Sequence, residues 1–201
     1  MPLIEDFSQP LGQSLSLNSF YQMAMLNTKK DYDWAEFGVY KGITGKRWLK
    51  YLPTDKKIYF FDSFKGLPEE WANSTRSLVS PIGTFAIDPP NFNDPRAVLQ
   101  IGWFEDTVPT FVENYKEKFL SFIHIDCDLY SSTKTVLNGL KDLISPETVI
   151  VFDELCGELR HQEHEYKALE EFVLENKLIP KYICNEKMNS RVALRLKNAL
   201  D

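Results

Sequence analysis

Short, continuous apolar runs alternate with amphipathic stretches along most of this chain, and that alternation limits the fold more than any other feature. Ala35–Tyr40, Ile58–Phe61, Val98–Trp103, Phe119–Ile125 and Val149–Phe152 are mostly apolar and run on without strict alternation, as strands covered on both faces must. Helical candidates lie at Leu15–Lys29, Thr44–Tyr51, Val108–Lys118, Ser132–Leu143 and His161–Glu175. Strand-then-helix order, repeated, predicts an α/β fold with a mostly parallel sheet. The tail departs from that order: Ile179–Cys184 and Arg191–Leu196 flank the polar stretch NEKMNS and predict a C-terminal antiparallel hairpin.

The chain has 201 residues, 43% hydrophobic and 26% charged, which suits one globular domain, 1–201, rather than disorder. Within it we expect an N-terminal helical segment over 1–32 and a Pro-rich insertion or lid over 68–96. That insertion carries five of the eleven prolines and little periodicity, and a long irregular stretch inside a compact domain is usually functional. The net charge of −6 and pI near 5.2 provide no overall basic field, so nucleic acid and anionic membrane are not expected partners. The longest apolar runs are too short to span a bilayer. The start, MPLIEDFSQP, lacks the pattern of a secretory signal. Cys127, Cys156 and Cys184 show no C-x-x-C spacing and suit a reducing compartment. A soluble, cytoplasmic protein is expected.

In open α/β sheets, ligands bind beyond the carboxyl ends of the strands, where strand order reverses. The first predicted strand ends in Glu36-Phe37-Gly38-Val39-Tyr40-Lys41-Gly42, whose glycines permit a tight turn and close backbone approach. This is not the G-x-G-x-x-G fingerprint of dinucleotide enzymes. Asp62 ends the second strand, about where such folds place the acid that accepts from vicinal ribose hydroxyls. Trp103 and Phe104 end the third strand and could flank an adenine ring.

Asp126 and Asp128 follow the fourth strand and Asp153 and Glu154 the fifth. One strand–helix–strand unit separates the pairs, which puts them side by side. Converging carboxylates repel unless a cation neutralises them, and oxygen donors favour a hard ion such as Mg²⁺. His124 shares parity with Phe122 and Asp126 inside an apolar strand, so a buried, hydrogen-bonded imidazole is expected. His161 and His164 lack zinc-site spacing.

The blocks Glu36-Phe37-Gly38-Val39-Tyr40-Lys41-Gly42, Phe61-Asp62-Ser63-Phe64-Lys65-Gly66-Leu67-Pro68-Glu69, Gly102–Pro109, Ile123–Thr133, Val151–Glu154 and Glu165–Phe172 resemble, in order, the macrocin-type O-methyltransferase family. The resemblance implies a Rossmann-like class I methyltransferase fold with a seven-stranded sheet and a C-terminal antiparallel hairpin. It implies S-adenosylmethionine as cofactor and a divalent metal, Mg²⁺ foremost. The implied reaction is methylation of a hydroxyl on a sugar, saccharide or small-molecule natural product. Carried onto matching positions, the cofactor site would comprise Glu36, Gly38, Thr44, Asp62, Ser63, Trp103 and Phe104. The metal ligands would be Asp126, Asp153 and Glu154, the last standing where relatives usually carry Asp or Asn. Asp128 would be the general base, and the protein a homodimer.

Two other classes remain in view. Asp126-Cys127-Asp128 is also the D-x-D spacing of metal-dependent glycosyltransferases. A fold of this kind can also bind cofactor without turnover.

Overall fold

In the computed structural model, residues 14–72, 79–156, 161–186 and 191–199 are described below. Five parallel strands are β2 (Trp34–Phe37), β3 (Ile58–Asp62), β6 (Ala97–Ile101), β7 (Leu120–Ile125) and β8 (Ile144–Phe152). The closing strands are β9 (Leu178–Glu186) and β10 (Val192–Asn198), and β10 runs antiparallel to both β8 and β9. A two-residue strand, β1 (Ser14–Leu15), adds to the β9 edge, so the order is β1-β9-β10-β8-β7-β2-β3-β6. Without that edge addition, this is the expected seven-stranded sheet with its terminal antiparallel hairpin. Residues 1–13, 73–78 and 187–190, parts of the expected N-terminal segment, lid and hairpin connection, lie outside the described residues.

Burial on both faces explains the continuous apolar runs. Ala35, Phe37, Phe61, Ile123, Ile125, Ile150 and Phe152 face one core, shared with α3 (Phe104–Asn114), α4 (Tyr130–Gly139) and α5 (Glu165–Glu175). Trp34, Ile58, Phe60, Phe122, Val149 and Val151 face the other, covered by α1 (Leu17–Asn27) and α2 (Ile43–Trp48). Trp48 of α2 is fully buried, its ring tilted against Phe122 at 4.9 Å and edge-on to Tyr21 at 5.0 Å.

The element boundaries show which local rules prevailed. The first strand stops at Phe37, three residues short of the expected Tyr40, because Gly38, Tyr40 and Gly42 all take positive φ. The third stops at Ile101, and α3 begins at Phe104 rather than Val108. Pro109 therefore lies inside α3, whose first turn carries Glu105 and Asp106, well placed against the positive end of the helix dipole. The fifth strand is longer than expected because Thr148 Oγ1 donates to Leu120 O at 2.7 Å and anchors the polar Ser145-Pro146-Glu147 beside β7.

The 68–96 insertion contains one small hairpin, β4 (Trp71–Ala72) with β5 (Val79–Ser80), and is otherwise irregular. Arg96 ties its far end to the fold. The guanidinium grips Asp94 through Nε (3.0 Å) and Nη2 (2.6 Å), and donates to Leu52 O (2.7 Å) and Leu49 O (3.0 Å) behind α2. Those carbonyls have no helical partner of their own, and a cation suits a helix C-terminus. Arg96→Met should lower stability by about 2–3 kcal/mol through loss of these charge-assisted bonds, measured by denaturant unfolding. Arg96 holds the Asp94 carboxyl below its usual range. The Asp94 contribution should therefore be complete above pH about 4 and fade as pH falls through the lowered value.

Candidate active site at the carboxyl edge of the sheet

Strand order reverses between β2 and β7: the chain builds outward through β3 and β6, then returns to place β7 on the other side of β2. At that reversal the backbones nearly touch. Asp126 N donates to Phe37 O at 2.9 Å, and Gly38 N donates to Phe61 O at 3.0 Å. A Cβ built on Gly38 would stand 1.7 Å from Asp126 O, and Gly38 has φ +85°, so no other residue fits.

Asp62 holds the glycine turn in place. Its Oδ2 accepts from Val39 N and Tyr40 N, and its Oδ1 from Phe64 N, each at 2.8 Å. A carboxylate that binds three backbone N–H groups fixes two loops against each other. Above this frame lies a cavity of about 350 Å³. Gly38, Asp62, Ser63, Trp103, Phe104, Asp126, Cys127 and Asp128 line it. Asp128 reaches it from a left-handed turn, φ +60°. Leu67, just before the insertion, and Pro68 and Phe85 within it also line the cavity. Ser131 Oγ donates to Glu69 Oε1 at 2.6 Å, and His164 Nε2 meets Ala72 O at 3.1 Å. These contacts tie the insertion to α4 and to the residue before α5, beside a small apolar cluster of Leu67, Trp71 and Leu129.

The other expected site residues sit elsewhere. Thr44 is on α2, outside the cavity lining. Glu36 is 1% exposed beneath α2, with Oε1 3.2 Å from His124 Nδ1. Burial raises its pKa, partly opposed by His124. His124 is the buried, hydrogen-bonded imidazole expected from its parity. Burial alone would lower its pKa, but the carboxylates of Asp153 and Glu36 outweigh that and raise it to about 10.

The acidic pairs do not converge as four equals. His124, Asp126 and Asp153 each bring one donor atom within 4.8 Å of the others, and Glu154 is not part of this cluster. Glu154 is instead held by its backbone, whose N–H donates to Glu165 Oε2 at 3.1 Å. Both oxygens of Asp153 are gripped by the Arg191 guanidinium, Nε–Oδ1 at 2.5 Å and Nη2–Oδ2 at 2.7 Å. Burial alone would raise the Asp153 pKa, but His124 and Arg191 together lower it. Asp126 is raised well above the usual carboxylate range by burial and by Asp153. Of the expected trio of Asp126, Asp153 and Glu154, the first two fall in this cluster with His124, and Asp153 is also bound by the Arg191 guanidinium.

Two residues of the site receive no role from the sequence, although Glu165 opens one of the blocks that carry the resemblance. Glu165, fully buried at the start of α5, accepts from Cys127 N (3.3 Å) and Glu154 N. It thereby joins the loops after β7 and β8. Burial, with Asp153 and Asp128 nearby, raises its pKa to about 8 despite those bonds. Arg191 lies 38 positions from Asp153, and only sheet register brings them together.

Residues 35–155 match the family model described as a methyltransferase domain, and the chain belongs to that family. A relative from Streptomyces olivaceus is 28% identical over 130 residues, 57% of this chain. It is named 8-demethyl-8-(2,3-dimethoxy-alpha-L-rhamnosyl)-tetracenomycin-C 4'-O-methyltransferase. The chain spans about half of that relative's length, 48%. Among solved structures, the calicheamicin methyltransferase CalS11 superposes with a TM-score of 0.68 at 21% identity, covering 89% of this chain and 76% of its own. The O-methyltransferase NovP superposes with 0.63 at 19% identity, covering 89% and 78%. These likenesses establish the fold as that of class I methyltransferases.

Gly38→Ala should abolish the β2–β7 approach, and S-adenosylhomocysteine binding by calorimetry should vanish with it. Asp62→Asn keeps the shape but loses at least one charge-assisted bond, for about 2 kcal/mol of stability, read from the unfolding midpoint.

Proposed function

We propose that the protein is an S-adenosylmethionine-dependent O-methyltransferase acting on a hydroxyl of a sugar-bearing natural product or saccharide, in the cytoplasm. The observation that carries this reading is what one cavity gathers at the strand ends. A glycine turn, Asp62, Ser63 and an aromatic pair line it together with the carboxylates of Asp126 and Asp128. Family membership supports methyl transfer, and the name of the Streptomyces relative supports a sugar hydroxyl as acceptor.

When bound, S-adenosylmethionine supplies a methyl group already activated as a sulfonium. The protein's task is then mainly alignment and water exclusion. Gly38 lets the backbone come close, Asp62 fixes the turn, and Trp103 and Phe104 supply flat apolar surface for a ring. The insertion, tied down by Glu69 and His164, covers the mouth as a lid. Asp128 is the candidate base that accepts the hydroxyl proton as the new C–O bond forms. Glu165 holds the Asp128 loop through Cys127 N, which makes it a positioning residue. The D-x-D reading as a glycosyltransferase gains no support, since the sheet and family are those of methyltransferases. Among the described residues, no helix is long and apolar enough to cross a membrane.

S-adenosylhomocysteine should bind the purified protein in calorimetry, and a nucleotide diphosphate sugar should not. The opposite pattern would overturn the proposal. Asp128→Asn should keep product-cofactor binding within about twofold and lower turnover of an accepted saccharide by roughly 10²–10⁴-fold. Unchanged turnover would remove Asp128 from the proton transfer.

A further inference from the structure

The carboxyl ends of β7 and β8 concentrate negative charge, and the hairpin delivers a fixed positive charge to the same place. Val192 of β10 pairs with Phe152 of β8 on one side and Asn185 of β9 on the other. One step further along, Arg191 therefore stands between Asp153 and Glu186, and Glu186 N donates to Arg191 O at 3.0 Å. The side chain follows the same row. Its fork takes both oxygens of Asp153, and Nη1 reaches Glu186 Oε2 at 3.1 Å. Asp153 and Glu186 are 9% and 7% exposed, so these bonds form largely out of water. A guanidinium keeps its charge at any working pH, and its planar fork matches a carboxylate on two points at once.

A divalent ion using Asp153 would have to share its oxygens with that fork, against the repulsion of a fixed positive charge, or displace the fork from Asp153. Mg²⁺ in particular dehydrates reluctantly and demands near-octahedral oxygen donors, whereas the cluster offers Asp126, Asp153 and an imidazole. We propose that Arg191 occupies the counter-ion position of this site, so that the protein holds its acidic strand ends together without a divalent metal. The charge assignment stands apart from the chemistry. Its consequence, methyl transfer that needs no added ion, rests on the proposed function above. In that case Asp128 and the fixed geometry of the two loops deal with the hydroxyl proton unaided by a Lewis acid.

The test uses the whole chain, stripped with EDTA and titrated with MgCl₂ or MnCl₂ by calorimetry, with thermal unfolding measured in parallel. Wild type should show no binding heat and no shift in melting temperature, and S-adenosylhomocysteine should bind equally with and without EDTA. Arg191→Met leaves Asp153 and Glu186 uncompensated and should lower the melting temperature by about 10 °C. Millimolar Mn²⁺ should restore part of that loss. The double variant Arg191→Met/Asp153→Asn, which leaves only Glu186 uncompensated, should recover part of the lost stability without metal and show no metal response. Divalent-ion binding by wild type that Asp126→Asn removes would overturn the proposal. So would an Arg191→Met protein that melts like wild type. If Arg191→Met does not fold, the wild-type titration still decides. Failure to bind S-adenosylhomocysteine would unseat the methyl-transfer reading and leave the metal result standing.

Discussion

Everything at the site depends on two backbones meeting where the sheet reverses. Gly38 lies so close to the Asp126 carbonyl that a single methyl group would overlap it. That contact sets the floor of the cavity and aligns the end of β2 with the end of β7. Asp62 then fixes the turn from the other side with three backbone bonds. Ligand-binding loops in such folds are usually the mobile parts. Here they are tied to the sheet and to each other by the protein's own bonds, which is the preorganisation an alignment-driven reaction needs.

A row of alternating charge runs just under that floor. Glu36 meets His124 across β2 and β7, His124 faces Asp153, and Asp153 is held by Arg191, which also binds Glu186. Buried charges persist only when paired, and each member of this row is placed by strand register. The C-terminal hairpin therefore does more than cover the sheet edge, because its Arg191 completes the electrostatics of the site. Glu165 plays the corresponding part from α5, joining the two acidic loops through their amides.

Much of the fold could be read from the chain. Continuous apolar runs separated by amphipathic stretches leave few options besides a parallel sheet covered on both sides. The polar NEKMNS between two apolar runs marked the terminal hairpin. The boundaries were less legible. Positive φ at Tyr40, and Pro109 tolerated inside α3, are outcomes of tertiary contacts that override local preference. The two-residue β1 has no pattern of its own and forms only because β9 offers an edge.

The sequence by itself determined the order of strands and helices, the glycine turn, and the acids that end β3, β7 and β8, since these are local in the chain. Tertiary structure decided which of those acids meet. Glu154, adjacent to Asp153 in sequence, falls outside the cluster, and its backbone N–H is held by Glu165. His124, two residues before Asp126, joins it because alternate residues of a strand share a face. Arg191 enters from the far end of the chain because β10 pairs with β8 in one register. Charge pairing of this kind depends on distance through space, which sequence spacing does not encode until the sheet is assembled.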